Sequence, residues 1–292
     1  MDQRALQQFL VLAETLHFGR AAATCHVSPS TLSRAILKLE ETLGAALFLR
    51  DNRQVALTRE GQIFRRYAED AVRLWADLEQ DLLDTSGELR GRLTVYSSVT
   101  ASYSFLHDLL AALRQAHPNI DISLQTGDPE QAIPSVQSGE VQISIGALPG
   151  RLPNALSFKA VAETPLVFIA ATSSRYGAGL ADDATNKDWQ QAPMILPERG
   201  VARENALAWF RRRKISPQIV SEVAGNEAIV SMVSLGEAIG LVPRIVLENS
   251  PLAERVMTIA VNPAPAPLKV GLFVQSRNLS NRLVKALWDI AG

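Results

Sequence analysis

The stretch Phe18–Gly44, FGRAAATCHVSPSTLSRAILKLEETLG, carries the reading of this chain. It reads as a short helix, a tight turn and a longer helix. Phe18, Ala21, Ala22 and Cys25 follow one another at spacings of three, one and three, a buried stripe on a helix over 18–25. Val27 and Ser28 make the turn. Ser28 suits an N-cap, and Pro29 at the first helical position gives up no hydrogen bond, because that N–H is unpaired in any helix. Leu32, Ile36, Leu39 and Leu43 then bury one side of the second helix, and Gly44 supplies a left-handed C-cap. The other side shows Ser30, Thr31, Ser33 and Arg34 near the start, with Lys38 one turn on. Small hydroxyl side chains permit close approach to a DNA groove, and an Arg there holds a guanine or a phosphate. A helical hairpin with an ordinary solvated face has the same pattern.

Outward from this stretch, Leu47–Thr58 is two short apolar runs around an Asp51-Asn52-Arg53 turn, which predicts a β-hairpin. A basic hairpin after a helix-turn-helix is a wing, and its Arg50 and Arg53 are placed to meet backbone phosphate. Gln3–Thr15 forms a helix with Leu6, Phe9, Leu10 and Ala13 on one stripe, packed behind the helix-turn-helix. His17, Cys25 and His26 lie close in sequence but match no zinc spacing, so they read as packing residues.

Residues 1–60 resemble the winged helix-turn-helix of LysR-type transcriptional regulators, and the resemblance extends over the whole chain. The stretches HFGRAA, HVSPSTLSR, RDNR, SVTASYS, TGD, WFRR-KI, NEAIVSMVSLG and VPRIVLENSP are similar to a branch of that family linked to isoleucine and valine biosynthesis. The resemblance implies double-stranded operator DNA as partner, met by Arg20, Ser28, Pro29, Ser30, Thr31, Ser33, Arg34, Lys38, Arg50, Asn52 and Arg53. It also implies a homodimer or homotetramer, RNA polymerase as the activation target, and a small carboxylic-acid co-inducer, an acetohydroxy acid such as acetolactate. The expected target is the acetohydroxy-acid isomeroreductase gene.

At 292 residues the chain suits two or three domains. A balance of 47% hydrophobic and 20% charged residues is that of an ordinary globular protein. The net charge of -1 argues against indiscriminate coating of nucleic acid while leaving room for one basic surface. One cysteine, Cys25, excludes an internal disulfide. The start at Asp2, Gln3 and Arg4 is not an apolar signal segment, and no run long enough to span a bilayer occurs, so a reducing cytoplasm and no membrane are expected.

A long helix is predicted from Thr58 to about Thr85, with Phe64, Tyr67, Ala71, Leu74 and Leu78 at alternating spacings of three and four, a coiled-coil seam. Trp75 and Leu82 widen it. A helix packed on its own domain fits the same spacing; the resemblance implies an antiparallel dimerisation helix. Ser86, Gly87, Glu88 and Gly91 mark a flexible exit.

Beyond Gly91 strands and helices alternate. Strands over 93–97, 120–126 and 141–146, with helices over 102–117 and 129–138, predict a parallel sheet with ligands at the carboxyl ends of its strands. A second unit of like texture runs from about 164 to 260, with strands over 166–170, 194–196, 219–223 and 241–243 and helices over 203–214 and 226–235. Pro263, Pro265 and Pro267 stiffen a connector, a strand follows over 268–275, and a last helix covers 280–290. The resemblance implies that this end rejoins the first unit, as in periplasmic binding proteins. The expected α/β organisation is therefore a winged helix-turn-helix over 1–58, a linker helix over 59–90 and an effector domain over 91–292. Lobe I of that domain takes about 91–162 plus 268–292, and lobe II about 163–267.

The loop Ser97-Ser98-Val99-Thr100 ends a strand and opens a helix, where hydroxyls and free N–H groups converge on a carboxylate. By family position Ser98, Thr100 and Thr126 face the effector. Glu198 and Arg199 precede the helix near Arg203, a candidate carboxylate clamp. Ser98 and Thr100 also read as caps alone, and Arg203 as a surface charge beside Glu204. No phosphate-binding glycine loop, dinucleotide fingerprint, H-E-x-x-H or nucleophile elbow occurs, which excludes the commonest enzyme signatures. A solute-binding protein is the competing reading of the lobes, but it has no need of residues 1–60.

Overall fold

The computed structural model describes residues 2–51, 54–83, 88–180 and 184–292. The chain divides into two compact units, Met1–Gly87 and Glu88–Gly292.

In the first unit, α1 (Gln3–Thr15) is capped by Asp2, whose carboxylate accepts from the Arg4 N–H at 3.2 Å. His17 caps α2 (Phe18–Thr24), its Nδ1 accepting from the N–H groups of Gly19 and Arg20. Ser28 caps α3 (Pro29–Leu43), which Gly44 ends at φ +66°. Strands β1 (Phe48–Asp51) and β2 (Gln54–Leu57) pair antiparallel, Phe48 opposite Leu57. Glu40 ties this hairpin to α3, its Oε1 accepting from the N–H groups of Leu47 and Phe48. Thr58 then opens α4 (Arg59–Leu83), its Oγ1 accepting from the Gly61 N–H and donating to the Ala46 carbonyl.

One core serves this unit, built from Leu6, Phe9, Leu12, Ala21, Ala22, Leu32, Ile36, Leu39, Leu47, Phe48, Phe64 and Ala68. Phe9 is its centre, with ring centroids 5.3 Å from Phe48 and 4.8 Å from Phe64. Three expectations change. Leu12 is fully buried on α1 in place of the expected Leu10, Leu43 is exposed because the last turn of α3 runs past the core, and the seam of α4 divides. Phe64 is buried against α1, whereas Tyr67, Leu74 and Leu78 are 53%, 63% and 47% exposed. Trp75 is exposed on the same length of helix, while Ala71 packs partly against the core. The side chain of Leu82, expected to widen the seam, and Ser86 and Gly87, expected to open the exit, lie outside the described residues.

The second unit begins with β3 (Gly91–Ser97), then α5 (Val99–Ala101), which passes through a π-turn at Ser102–Leu106 into α6 (His107–Ala116). The helix thus starts earlier than expected, because Ser98 caps it: its Oγ accepts from the Ala101 N–H at 3.2 Å. Strand β4 (Ile120–Thr126) leads through a turn of 3₁₀ helix to α7 (Ala132–Ser138), where Pro134 sits in the first turn and costs no hydrogen bond. Then come β5 (Ile143–Ala147) and β6 (Leu156–Thr164). The chain continues through β7 (Leu166–Ala171), α8 (Arg175–Gly179), α9 (Asn186–Gln191), β8 (Pro193–Pro197), α10 (Val201–Arg213) and β9 (Gln218–Val223). It ends with α11 (Asn226–Val233), β10 (Ile239–Pro243), α12 (Arg244–Glu248), β11 (Val256–Ile259), β12 (Leu268–Gln275) and α13 (Arg282–Ile290).

Two five-stranded sheets result, β4-β3-β5-β12-β6 in lobe I and β11-β7-β10-β8-β9 in lobe II. The expected parallel sheet is the parallel half of a mixed one: β3 runs parallel to β4 and β5, and β12 returns antiparallel between β5 and β6. Strands β6 and β11 have no counterpart in the sequence reading. Thr164 still pairs with Leu268, so the first crossing between lobes falls at Pro165 and the second in the proline-rich stretch before β12. Lobe II is packed around four rings: Phe168 lies 4.9 Å from Trp189 and 4.8 Å from Trp209, which meets Phe210 at 5.0 Å.

Candidate functional site

The start of α3 is a row of exposed polar groups held in place by its own cap. Ser28 Oγ accepts from the Thr31 N–H at 3.1 Å and lies 2.9 Å from Ser30 Oγ and 2.8 Å from Thr31 Oγ1. Arg34 Nε donates to the Ser30 carbonyl at 3.4 Å, a long bond that leaves the rest of its guanidinium outward. Pro29, Ser30, Thr31, Arg34 and Lys38 are exposed and Ser33 is half-buried. Arg20, exposed on α2, donates to the Thr15 carbonyl at 3.1 Å. Hydroxyls that can both donate and accept, with a fork of guanidinium N–H groups one turn later, are the chemistry that reads base edges. Asn52, Arg53 and the side chain of Arg50 lie outside the described residues.

The second site is the cleft between the two lobes of the effector unit. One cavity of about 150 Å³ is bounded by Asp128, Pro129 and Glu130 from lobe I and by Glu198, Arg199, Gly200 and Glu204 from lobe II. A second, of about 60 Å³, is lined by Ser98, Thr100, Phe105, Thr164, Pro243 and Ile245. Pro129, Ala147, Asn226 and Leu268 line both. Ser98 and Thr100 therefore meet one cavity and Glu198 and Arg199 the other.

Thr126 and Arg203 line neither. Thr126 is exposed at the end of β4, opposite Ser97 in the sheet. Arg203 is committed within its own lobe, donating to the Pro197 carbonyl at 2.8 Å and pairing with Glu222. A guanidinium so occupied is not the free clamp that its place in the sequence suggests. The cleft cation is Arg199, and it already pairs with Asp128 across the lobes at 3.1 Å.

Three acidic groups that sequence reasoning left without a role complete the cleft. Asp128 receives Arg199 and holds the β4–α7 turn, its backbone carbonyl accepting from the Tyr96 hydroxyl at 2.9 Å. Glu130 sits against Gly200 at the start of α10, with its carboxyl pushed up to about 7 by burial and by neighbouring Asp128. Glu227, at the start of α11, accepts from both the hydroxyl and the N–H of Thr100. Two of these lie in or beside the stretches TGD and NEAIVSMVSLG, a signal of position but not of role.

Residues 3–62 match the lysR family of bacterial regulatory helix-turn-helix proteins, and residues 86–292 match the LysR substrate binding domain. Over 294 residues the chain is 42% identical to the HTH-type transcriptional activator IlvY of Salmonella typhimurium, covering 99% of each. It is 40% identical over 293 residues to the HTH-type transcriptional regulator IlvY of Escherichia coli, covering 99% of this chain and 98% of that one. Full-length CbnR complexed with its target DNA shares the fold at a TM-score of 0.71, with 20% identity and 100% and 99% of the two chains covered. A helix-turn-helix head and a two-lobed substrate-binding domain on one chain, matched along their length to LysR-type regulators, make this protein a member of the LysR family of transcriptional regulators.

Proposed function

We propose that the protein activates an isoleucine and valine biosynthesis gene, that of the acetohydroxy-acid isomeroreductase, when an acetohydroxy acid such as acetolactate enters the interlobe cleft. The observation that carries this is the 42% identity over the full length to an activator named IlvY, on a chain whose cleft is lined by the side chains of Ser98 and Thr100. On this reading Ser98, Thr100, Glu198 and Arg199 meet the effector, while Thr126 and Arg203, which line neither cavity, do not. Arg20, Ser28, Pro29, Ser30, Thr31, Ser33, Arg34, Lys38, Arg50, Asn52 and Arg53 meet operator DNA, and RNA polymerase is the activation target in the cytoplasm. Tyr67, Ala71, Leu74 and Leu78 join two copies through α4, with Phe64 bracing the helix on its own head; a homotetramer pairs two such dimers. The apolar length of α4 exposed in one chain supports that assembly.

Footprinting the DNA beside the protein's own gene, with and without acetolactate, tests the proposal. Protection of an interrupted palindrome, altered by the acid, is the expected result. Protection indifferent to acetolactate and to related acids assigns the protein to another pathway of the same family.

A further inference from the structure

Thr100 and Glu227 stand 127 residues apart in sequence and on opposite lobes, yet they share two hydrogen bonds. The Thr100 hydroxyl donates to Glu227 Oε1, and the Thr100 N–H donates to the same oxygen at 3.3 Å. Thr100 is 3% exposed and lines the second cavity. Glu227 is the reverse: the rest of its side chain is exposed, and it can swing away without unpacking any core. Its neighbour Asn226 lines both cavities, and Glu227 itself reaches the second through Thr100.

A threonine has one hydroxyl hydrogen and one N–H to give. A small acid seated on Thr100 needs those same two donors, and it brings a second negative charge into the space that Glu227 fills. The two carboxylates exclude each other by hydrogen-bond supply and by charge. We infer that Glu227 is an internal stand-in for the effector's carboxylate: it latches lobe II to lobe I through Thr100, and an inducing acid must displace it. The inference rests on the cleft being the effector site. It adds that the chain carries its own competitor, which sets the acid concentration needed for response. A ligand moves the protein only by the difference in its affinity for two lobe arrangements, and the latch weights one of them beforehand.

Two measurements on the full chain test it. The first needs no ligand. Spin labels placed by Arg114→Cys in lobe I and Arg211→Cys in lobe II, with Cys25→Ser to remove the native thiol, report the interlobe distance by pulsed electron resonance. Glu227→Ala should broaden that distribution and lengthen its mean, with Glu227→Gln intermediate because its amide oxygen still accepts a bond. A distribution unchanged in Glu227→Ala overturns the latch. The second is calorimetric titration of acetolactate, with operator retention as the check that each variant is folded. Glu227→Ala should bind the acid about tenfold more tightly, a loss of competition worth about 1.4 kcal/mol. Equal or weaker binding makes Glu227 an effector contact or a bystander and overturns the stand-in. If acetolactate binds neither protein, the acetohydroxy-acid reading fails, and the distance measurement alone decides the latch.

Discussion

A Cβ placed on Gly200 would lie 1.8 Å from the carboxyl carbon of Glu130, so the carboxyl group of one lobe is seated on a bare α-carbon of the other. Gly200 also holds φ +91° and ψ -175°, a conformation that side-chain-bearing residues scarcely adopt. Gly200→Ala is therefore expected to cost about 1–3 kcal/mol in backbone strain and to expel the Glu130 carboxyl from its seat. Thermal unfolding of the full chain checks the first effect. A melting temperature within error of the wild type would show that the contact carries no load.

Glu130 makes the sensor's stability depend on pH. Its carboxyl rises from an ordinary value of 4.5 to about 7 through burial, then Asp128, with Arg199 opposing. A carboxyl raised on folding binds its proton more tightly in the folded state than in the unfolded one. Stability is thus lost as pH climbs from about 4.5 to about 7 and is flat beyond. The loss should be about 1 kcal/mol, well below the full shift, because the side chain is only half-buried and solvent screens it. Denaturant titrations at about pH 5 and about pH 8 on wild type and Glu130→Gln should show the slope in the first and a shallower one in the second. Parallel slopes would place the titration elsewhere.

At the head, Arg34 offers its guanidinium beside the hydroxyls of Ser30 and Thr31, and its one described bond is long. Removing it with Arg34→Ala should weaken specific operator binding by about 1–3 kcal/mol if it meets a base edge. The salt dependence of binding separates base from phosphate contact, since a lost phosphate contact also lowers the salt slope. Operator affinity unchanged in a folded dimer would remove Arg34 from the interface.

The exposed part of α4 makes a separable prediction. Phe64 belongs to the core of its own head, whereas Leu74 and Leu78 are open in one chain. Leu74→Glu with Leu78→Glu should leave each head folded and split the assembly, because each buried carboxylate in an apolar seam costs at least about 2 kcal/mol. Light scattering should find particles of smaller mass. Native mass in the double variant would mean that α4 serves one chain alone.

Much of this protein is legible along short lengths of chain. The caps at Ser28 and Gly44, the hydroxyl row on α3, the hairpin at 48–57 and the strand Leu268–Gln275 all follow from period and cap chemistry within a few residues. Such local interactions are set by neighbours in sequence, so pattern finds them. Strands β6 and β11 carry short or small-residue alternation, LSFKAVAET and VMTI, and only their pairing with β12 and β7 marks them as sheet. The division of the α4 stripe was silent too, since Phe64 and Leu74 are alike in type and differ only in whether α1 lies beside them.

The cleft shows the same boundary most sharply. Arg203 had the composition of a clamp, but closure of lobe II gave it Glu222 and left Arg199 to face the other lobe. Pairing of Asp128 with Arg199, of Glu130 with Gly200 and of Thr100 with Glu227 joins residues that no spacing relates. Sequence supplied the donors and acceptors, because each is a property of one side chain. Their partners were chosen when two sheets came together at a doubly crossed hinge, an arrangement set by the packing of whole lobes.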